Sequence, residues 1–417
     1  MKGFKILTLR LRNITPTIIG GYKASTISSS LGISEDFRVP ELKGIWRWWF
    51  RALALGALWD VRGRVEREEI RYTQEKVGAV LGSTKASSKF ILQAFAKKKG
   101  RPRPPKHDVN IPPRLRILKL GKDVDKLYYY DTAELEYVVN LLKQPKRKLS
   151  DDELRVGVGS LFMALIFQGV GAITSRGFGA WEIQVDGVEN EYEDNLIDYI
   201  QIIRKLNKVE AEGEAKVTIK TLIQLVNGDF LEFMGVRGEN RKETEIIPLA
   251  SLVSLNPRFF RFDTKNIEAD SVMDLLVKIG RATMKTGWKV HLGLGPKAPD
   301  GQLHTWVLGL PRGQKEKRHG YFVEIEKFEL GRRPSAISVH PLKRLSETKW
   351  ICLVYGFLSK DWPKSIYHVS PRFGKRRVEE IPVRTQEKLL SFNIPSEYDK
   401  FQEVIFNTAF DVVIKCL

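Results

Sequence analysis

Residues 40–59 read P-E-L-K-G-I-W-R-W-W-F-R-A-L-A-L-G-A-L-W. Proline suits a first helical turn, where its missing N–H leaves no bond unmade. At about 100° per residue, Leu42, Trp46, Trp49, Phe50, Leu53 and Ala57 gather on one face. That face is a core stripe. Lys43, Arg47 and Arg51 follow at i, i+4 and i+8 on the adjacent face, and Trp48 projects away from the stripe. Two readings of the basic flank stand side by side. It is a solvated face beside a core, or, with Trp48, a surface on which single-stranded bases stack.

Upstream, residues 4–12 alternate as a strand and T-P-T-I-I-G-G-Y at 15–22 marks a loop. Residues 23–38 are Ser-rich and aperiodic, which predicts a mobile segment. Downstream, a second helix is expected over 66–81 and a strand over 89–95. The run K-K-K-G-R-P-R-P-P-K at 97–106 has six basic residues, three prolines and no acid, so an exposed basic loop is expected there. Residues 115–120 and 127–142 should contain further strands. Ser150-Asp151-Asp152-Glu153 is a capping box that opens a helix with Leu154, Val158, Leu161, Phe162, Leu165 and Ile166 on one face. The helix ends at Gly169, G-V-G-A-I-T-S-R-G-F-G follows to Gly179, and 180–185 reads as a strand.

The second half is less regular. Residues 187–215 read as an acidic linker with a helix near 196–206. A second unit is expected from Lys216, opening with a strand through Val217, Ile219, Leu222 and Leu225. A helix over 270–284, strands around 305–310, 321–330 and 350–357, and a helix over 397–406 complete it. The division is thus 1–186, 187–215 and 216–417. The strands are too few and too mixed for a doubly wound sheet. Two α+β units fit better, each an antiparallel sheet with helices on one face.

Across 417 residues, 69 Lys and Arg against 50 Asp and Glu leave a net charge of +19. With 42% hydrophobic residues the chain can build ordinary cores, which excludes global disorder. Such a surplus points to a polyanion, nucleic acid first and an anionic membrane surface second, or to the solubility charge of a protein from a hot or salty habitat. The two cysteines, Cys352 and Cys416, exclude a Cys-rich zinc site and argue against a disulfide scaffold. The N-terminal M-K-G-F-K-I-L-T-L-R-L-R-N does not read as a secretory signal. The longest near-apolar stretch, 161–173, is far below the roughly 20 residues of a membrane helix. A soluble cytoplasmic protein is expected.

The glycine segment 169–179 follows a helix, not a strand, so it fails as a dinucleotide fingerprint, and no Gly-Lys-Ser/Thr makes it a nucleotide P-loop. Thr174, Ser175 and Arg176 among four glycines would present amides, hydroxyls and a guanidinium to a phosphate backbone. The alternative is a loop that needs positive φ to turn from helix to strand. Arg332 and Arg333, just after an expected strand, are placed for a fixed phosphate contact. No catalytic or metal-ligating spacing appears among the histidines at 107, 291, 304, 319, 340 and 368. No catalytic residue, metal or cofactor is expected.

The N-terminal strand, T-P-T-I-I-G-G-Y, the block V-P-E-L-K-G-I-W-R-W-W-F-R-A-L at 39–53, the glycine loop through Trp181 and R-R-P-S-A-I-S-V at 332–339 together resemble the RAMP superfamily of CRISPR proteins. Within it they resemble the subunit-one family of type III-B (Cmr) effector complexes. The resemblance implies two ferredoxin-like (RRM-like) domains about a basic cleft. It implies a non-catalytic subunit that engages the 3′ part of a guide RNA and its paired target RNA, beside sibling RAMP subunits and a small helical subunit, with no membrane involved. Carried over by motif, the RNA-facing positions would be Gly20, Gly21, Lys43, Arg47, Arg51, Ser175, Arg176, Gly177, Arg332 and Arg333, to which the helical reading above adds Trp48. A guide-maturing, metal-independent endoribonuclease is the alternative role among such proteins, and it would need a histidine near a 2′-hydroxyl.

Overall fold

The computed structural model describes the chain except residues 1–3, 21–25, 28–33, 64, 66, 105–111, 114, 116–127, 236–245, 254–257, 285–287, 289–304, 310–319, 327–328, 332–334, 361–364, 373–374 and 383–397. Its first unit runs β1 (Lys5–Asn13), α1 (Val39–Arg62), α2 (Arg67–Leu81), β2 (Phe90–Lys99), β3 (Leu135–Lys143), α3 (Asp151–Phe167) and β4 (Trp181–Val188). The sheet order β2-β3-β1-β4, antiparallel throughout, is that of a ferredoxin-like fold with one added helix. Two further helices follow, α4 (Asn190–Lys208) and α5 (Glu212–Met234).

The second unit begins with β5 (Phe260–Glu268) and α6 (Val272–Ala282), and continues through β6 (Gly320–Glu326), β7 (Glu329–Gly331), β8 (Ile337–Arg344) and β9 (Lys349–Phe357). Then come β10 (Ser365–Arg372), β11 (Lys375–Pro382) and α7 (Tyr398–Cys416). Strands β5-β9-β8 form one antiparallel sheet, and β11-β10-β6-β7 form another from the connections before β8 and after β9. The expected α+β class with two ferredoxin-like units therefore holds. Among the described residues, the second unit has no strand after α7 to complete the βαββαβ order.

The local causes are readable. Ser150 accepts from the Glu153 amide and Glu153 returns the bond, so the capping box starts α3 as expected. Helix α1 has Pro40 in its first turn and ends at Gly63 in the left-handed region, whose N–H donates to the Trp59 carbonyl at 2.8 Å.

Both faces of β9 are buried, and period-2 alternation assigns each face a different partner. Trp350, Cys352 and Val354 pack in one core with Leu275 and Ile279 of α6 and Phe406, Phe410 and Val413 of α7. Leu353, Tyr355 and Phe357 join the other core, which holds α1, α3 and the first sheet. The molecule is thus layered: first sheet, helices α1, α3, α4 and α5, second sheet, then α6 and α7. Each unit keeps its own helices on one face of its sheet, as expected, and the other face of the second sheet is covered by the first unit's helices.

Four local expectations change. Residues 216–225 lie inside α5, where Ile219, Leu222, Val226 and Phe230 keep helical spacing and Val217 is 58% exposed. Residues 187–215, read as a linker, hold the end of β4, amphipathic α4 and the start of α5, with Leu196, Tyr199 and Ile203 in the first core. Residues 305–308 form a 3-10 turn, not a strand. Of the segment 23–38, residues 23–25 and 28–33 lie outside the described residues; among the rest, Thr26 donates to the Tyr128 carbonyl at 2.6 Å and Phe37 is buried against Tyr137 and Trp181, so those two residues are pinned.

The basic run at 97–106 is likewise not all loop, since Lys97–Lys99 close the edge strand β2. A register shift between Ala96 and Lys98 sets Lys97 off the ladder. Lysines and a bulge on an edge strand discourage pairing with another chain. Lys98 donates to the Ala133 carbonyl at 2.7 Å, Lys99 pairs with Asp36 at 3.2 Å, and Arg103 pairs with Glu134 at 2.6 Å.

Candidate nucleic-acid interface

Most of the tryptophan block is interior. Trp46 donates from Nε1 to the Gly157 carbonyl and to Ser160 Oγ, both at 2.9 Å, and is fully buried. Trp49 sits between α3 and the second sheet, its ring 5.0 Å from Phe167, 6.0 Å from Tyr355 and 5.9 Å from Phe357. Trp48, expected to stand free for base stacking, is half-buried instead. Its ring lies 5.5 Å from Phe357 and 5.2 Å from Trp49. Helix α1 is covered on more than one face, so a residue off the main stripe still meets a wall.

The arginines of the basic flank are turned to protein carbonyls. Arg47 donates to the Gly82 carbonyl, and to that of Leu81 at 3.2 Å, closing the C-terminus of α2 where cations are favoured. Arg51 donates to the Ala250 carbonyl at 3.0 Å and lies 5.4 Å over the Trp48 ring. Lys43 differs from both, since it makes no hydrogen bond or ion pair among the described residues. It lines a hollow of ≈ 280 Å³ with Val39, Ser87, Ser88 and Gln144, and burial followed by the neighbouring Arg47 charge pulls its pKa below that of an ordinary lysine.

The glycine loop is a joint between the two units. Ser175 and Arg176 lie along the free edge of β8, with the Val339 N–H donating to the Ser175 carbonyl at 3.2 Å. Arg176 is 3% exposed, and its guanidinium donates to the carbonyls of Ser175 (2.9 Å), Ile337 (2.8 Å) and Leu308 (2.6 Å) and to Ser335 Oγ (2.9 Å). It is therefore not presented to a phosphate. Gly177 has φ +88°, a backbone conformation that favours glycine, and a Cβ there would stand 2.8 Å from Ile279 Cδ1 of α6. The positive-φ reading of this loop describes these glycines.

Its backbone is largely committed too. The amides of Val170, Gly171, Ala172, Arg176, Gly177 and Gly179 donate within the protein, that of Gly171 to Glu41 Oε1 at 3.0 Å. Burial raises the Glu41 pKa against the opposing pull of this bond and of Arg38. What remains of the expected phosphate cradle is the run Ile173–Thr174–Ser175, whose amides have no acceptor among the described residues, with Ile173 at φ +63°. The Glu41 bond places this loop beside the start of α1. Arg38 meets the same surface, donating to the Gly20 carbonyl at 3.2 Å.

Of the expected positions, Gly20, Lys43 and Ser175 are thus half-buried surface residues. Gly177 and Arg176 are buried, and Arg47, Trp48 and Arg51 serve internal packing. Gly21, Arg332 and Arg333 lie outside the described residues. Arg38 was missed, and its place immediately before Val39-Pro40 was the available signal.

His340 on β8 is fully buried beside the joint, and burial pushes its pKa down to about 4 against a bond to the Thr174 backbone. Nδ1 has no partner. A histidine enclosed this way cannot serve an RNA 2′-hydroxyl. The other five lie outside the described residues, except for His368, whose backbone runs in β10. Among the described residues there is no group of three His, Cys, Asp or Glu able to hold a metal, and no helix is long and apolar enough to cross a membrane.

A pH dependence follows from His340. The folded pKa of about 4 lies below the ordinary 6.5, so the unfolded chain takes up the proton first. Its stabilising effect is complete above pH 6.5 and is lost as pH falls toward 4, up to about 3 kcal/mol in all. Urea unfolding of the wild type and of His340→Gln across pH 7 to 4.5 should show the wild type losing more stability. Parallel losses would refute the assignment.

The family model of the RAMP superfamily matches residues 10–182, from the end of β1 through the glycine loop to the first residues of β4. That stretch of the chain is thus similar to RAMP-superfamily domains. Beyond it, the likeness to solved structures covers nearly the whole chain. A chain of the type III-B Cmr-beta complex bound to cognate target RNA and AMPPnP is similar in fold at TM-score 0.57 and 13% identity, over 99% of this chain and 100% of that one. A chain of the same kind of complex bound to cognate target RNA gives TM-score 0.55 and 11% identity, over 99% and 100%. Apo Cmr1 from Pyrococcus furiosus aligns at TM-score 0.49 and 17% identity, over 89% and 93%. No curated protein sequence matches the chain.

Proposed function

We propose that this chain is a non-catalytic, RNA-binding subunit of a type III-B CRISPR ribonucleoprotein, engaging the 3′ part of a guide RNA, its paired target RNA, or both. The carrying observation is the whole-length fold likeness to chains of Cmr-beta complexes that hold cognate target RNA. The +19 charge agrees with a polyanionic partner. Sibling RAMP subunits and a small helical subunit are the protein partners this role requires, and the cytoplasm is its compartment. Phosphate contacts would come from Lys43, Arg38 and the amides of 173–175, a set that positions a backbone and leaves sequence choice to base pairing.

The test is binding of the purified chain, in chelator, to guide-repeat RNA and to unrelated single-stranded RNA across a salt series, with products run on a denaturing gel. Binding that weakens steeply with salt, with intact RNA, is expected. Lys43→Ala should lower affinity similarly on both RNAs and flatten the log–log salt slope by about one contact. Discrete cleavage within the repeat would overturn the reading in favour of a nuclease. Salt-independent or absent binding would remove RNA as the partner.

A further inference from the structure

Three segments meet at the start of α1: residues 15–20, residues 38–41 and the glycine loop. The amides of the loop's first residues show how it is held there. Val170 donates to the Gly179 carbonyl at 3.1 Å and Ala172 to the Ile18 carbonyl at 2.8 Å. Gly171, between them, is the one of these three whose acceptor is a side chain, Glu41 Oε1 at 3.0 Å. Gly171 has φ +118°, and a Cβ there would lie 2.9 Å from the Ile18 carbonyl oxygen, so the turn cannot carry an anchoring side chain of its own at this point. Glu41 supplies the anchor from the helix.

The same carboxyl stands close to where a phosphate backbone would lie. The unbonded amides of 173–175 begin two residues beyond Gly171, and Thr174 is at most about 11 Å from it along the chain. Glu41 is half-buried, and burial holds its pKa above the ordinary carboxylate value. Arg38, three residues before it, is the charged group that faces it among the described residues. Lys43, two residues further along α1, lines the hollow beside Ser87 and Gln144 instead. The segment 15–20 has no charged residue, and the loop's one charge, Arg176, is turned to β8 and the 305–308 turn. A phosphate held by Arg38 and the 173–175 amides would draw off the cation that faces Glu41. It would also add a second anion within about one Debye length, ~10 Å at 0.1 M salt. A proton resolves the conflict. The neutral carboxyl still accepts the Gly171 N–H through its carbonyl oxygen, so the turn stays anchored while the repulsion disappears.

We propose that Glu41 is the positioning residue of the RNA-facing turn and that RNA binding is coupled to uptake of a proton on its carboxyl. The proposal rests on the RNA-binding reading above and adds to it a residue that touches no RNA and a direction of pH dependence. The sign follows from linkage: a complex that holds the proton to a higher pH than the free chain forms more readily as pH falls. A pair of like charges at this range, partly shielded by solvent, changes affinity about three- to tenfold.

The test titrates the full chain with a ten-nucleotide oligouridylate lacking terminal phosphates, whose bases do not titrate between pH 5 and pH 8, at constant low salt. Wild type, Glu41→Gln and Glu41→Ala are compared, with melting temperatures at each pH confirming intact folds. Glu41→Gln keeps an oxygen for the Gly171 N–H and removes the charge. At pH 8 it should bind about three- to tenfold more tightly than wild type. The two should converge toward pH 5, since only the wild type has this proton to gain. Glu41→Ala removes the anchor with the charge and should bind more weakly than Glu41→Gln at every pH. Should Glu41→Ala fail to fold, the comparison of Glu41→Gln with wild type decides alone. A constant ratio between those two across the range would mean that Glu41 takes up no proton. Equal binding by Glu41→Gln and Glu41→Ala would mean that the carboxyl positions nothing the RNA uses. Either result overturns the inference and leaves the RNA-binding role standing. No binding by the wild type at any pH overturns that role and the inference with it.

Discussion

Replacing Arg176 with alanine is expected to destabilise the chain by about 2–4 kcal/mol while leaving the salt dependence of RNA binding unchanged. Two opposing effects set that range. The guanidinium, 3% exposed, makes four hydrogen bonds to described residues, three of them to carbonyls drawn from the glycine loop, the 305–308 turn and β8. Bonds to a charged donor contribute about 1.5–3 kcal/mol each. Against that, alanine relieves the chain of a buried charge, which offsets several kcal/mol. The acceptors decide the balance, because truncation leaves them enclosed with nothing to bond. Arg176→Lys should recover little, since an ammonium is a point donor and cannot span four acceptors held in a fork. Urea unfolding measures the first effect and a salt titration with single-stranded RNA the second. A slope reduced by about one contact with unchanged stability would return Arg176 to the phosphate-facing surface.

The sequence carried the first unit well and the second poorly, for physical reasons visible in particular residues. Helix α1 is bounded by Pro40 and Gly63 and α3 opens with the Ser150–Glu153 box, and their apolar spacing is regular. In α5, Val217 and Ile219 imitate strand alternation, and only Leu222, Val226 and Phe230 further on restore the helical period. Strand β11 is rich in charge, β10 is interrupted by serines, a histidine and a proline, and both lie in a sheet built from connections, so no continuous apolar run announces them. Lys43 and Gly20 were legible as surface positions. Arg47, Arg51 and Arg176 were not legible as internal, because a sequence shows a cation's type and spacing but not which carbonyl waits across the fold. Trp48 misled for a related reason: a helical wheel assumes one covered face, and α1 has a second sheet beyond it. The motifs that resemble the RAMP superfamily are thus mainly the interlock of the two units, and the RNA contacts proposed here use only Lys43 and the 173–175 amides among them.

That interlock makes one substitution give opposite results at two positions of the same helix. Both Gly44 and Gly56 lie in α1, where alanine is favoured over glycine by about 0.5–1 kcal/mol. At Gly44 a Cβ meets nothing within 4 Å, so Gly44→Ala should stabilise the protein by about that amount. At Gly56 a Cβ would lie 1.8 Å from the Leu252 carbonyl oxygen and 2.5 Å from its carbon. Backbone cannot swing aside as a side chain can, and this backbone is tied in place, with the Leu252 N–H donating to the Ala52 carbonyl at 3.0 Å. Gly56→Ala must therefore push the 246–253 segment away from α1, prising Leu252 out of the first core and loosening its neighbour Val253 in the second. Overpacking costs typically about 1–3 kcal/mol where side chains can adjust and more where they cannot, so a loss of about 3 kcal/mol or more is expected, several times the propensity gain. Thermal and urea unfolding of the two single variants beside the wild type decides the matter. Stabilisation at both positions would mean that α1 and the 246–253 segment are not in contact, and the layered arrangement of the two units would have to be redrawn.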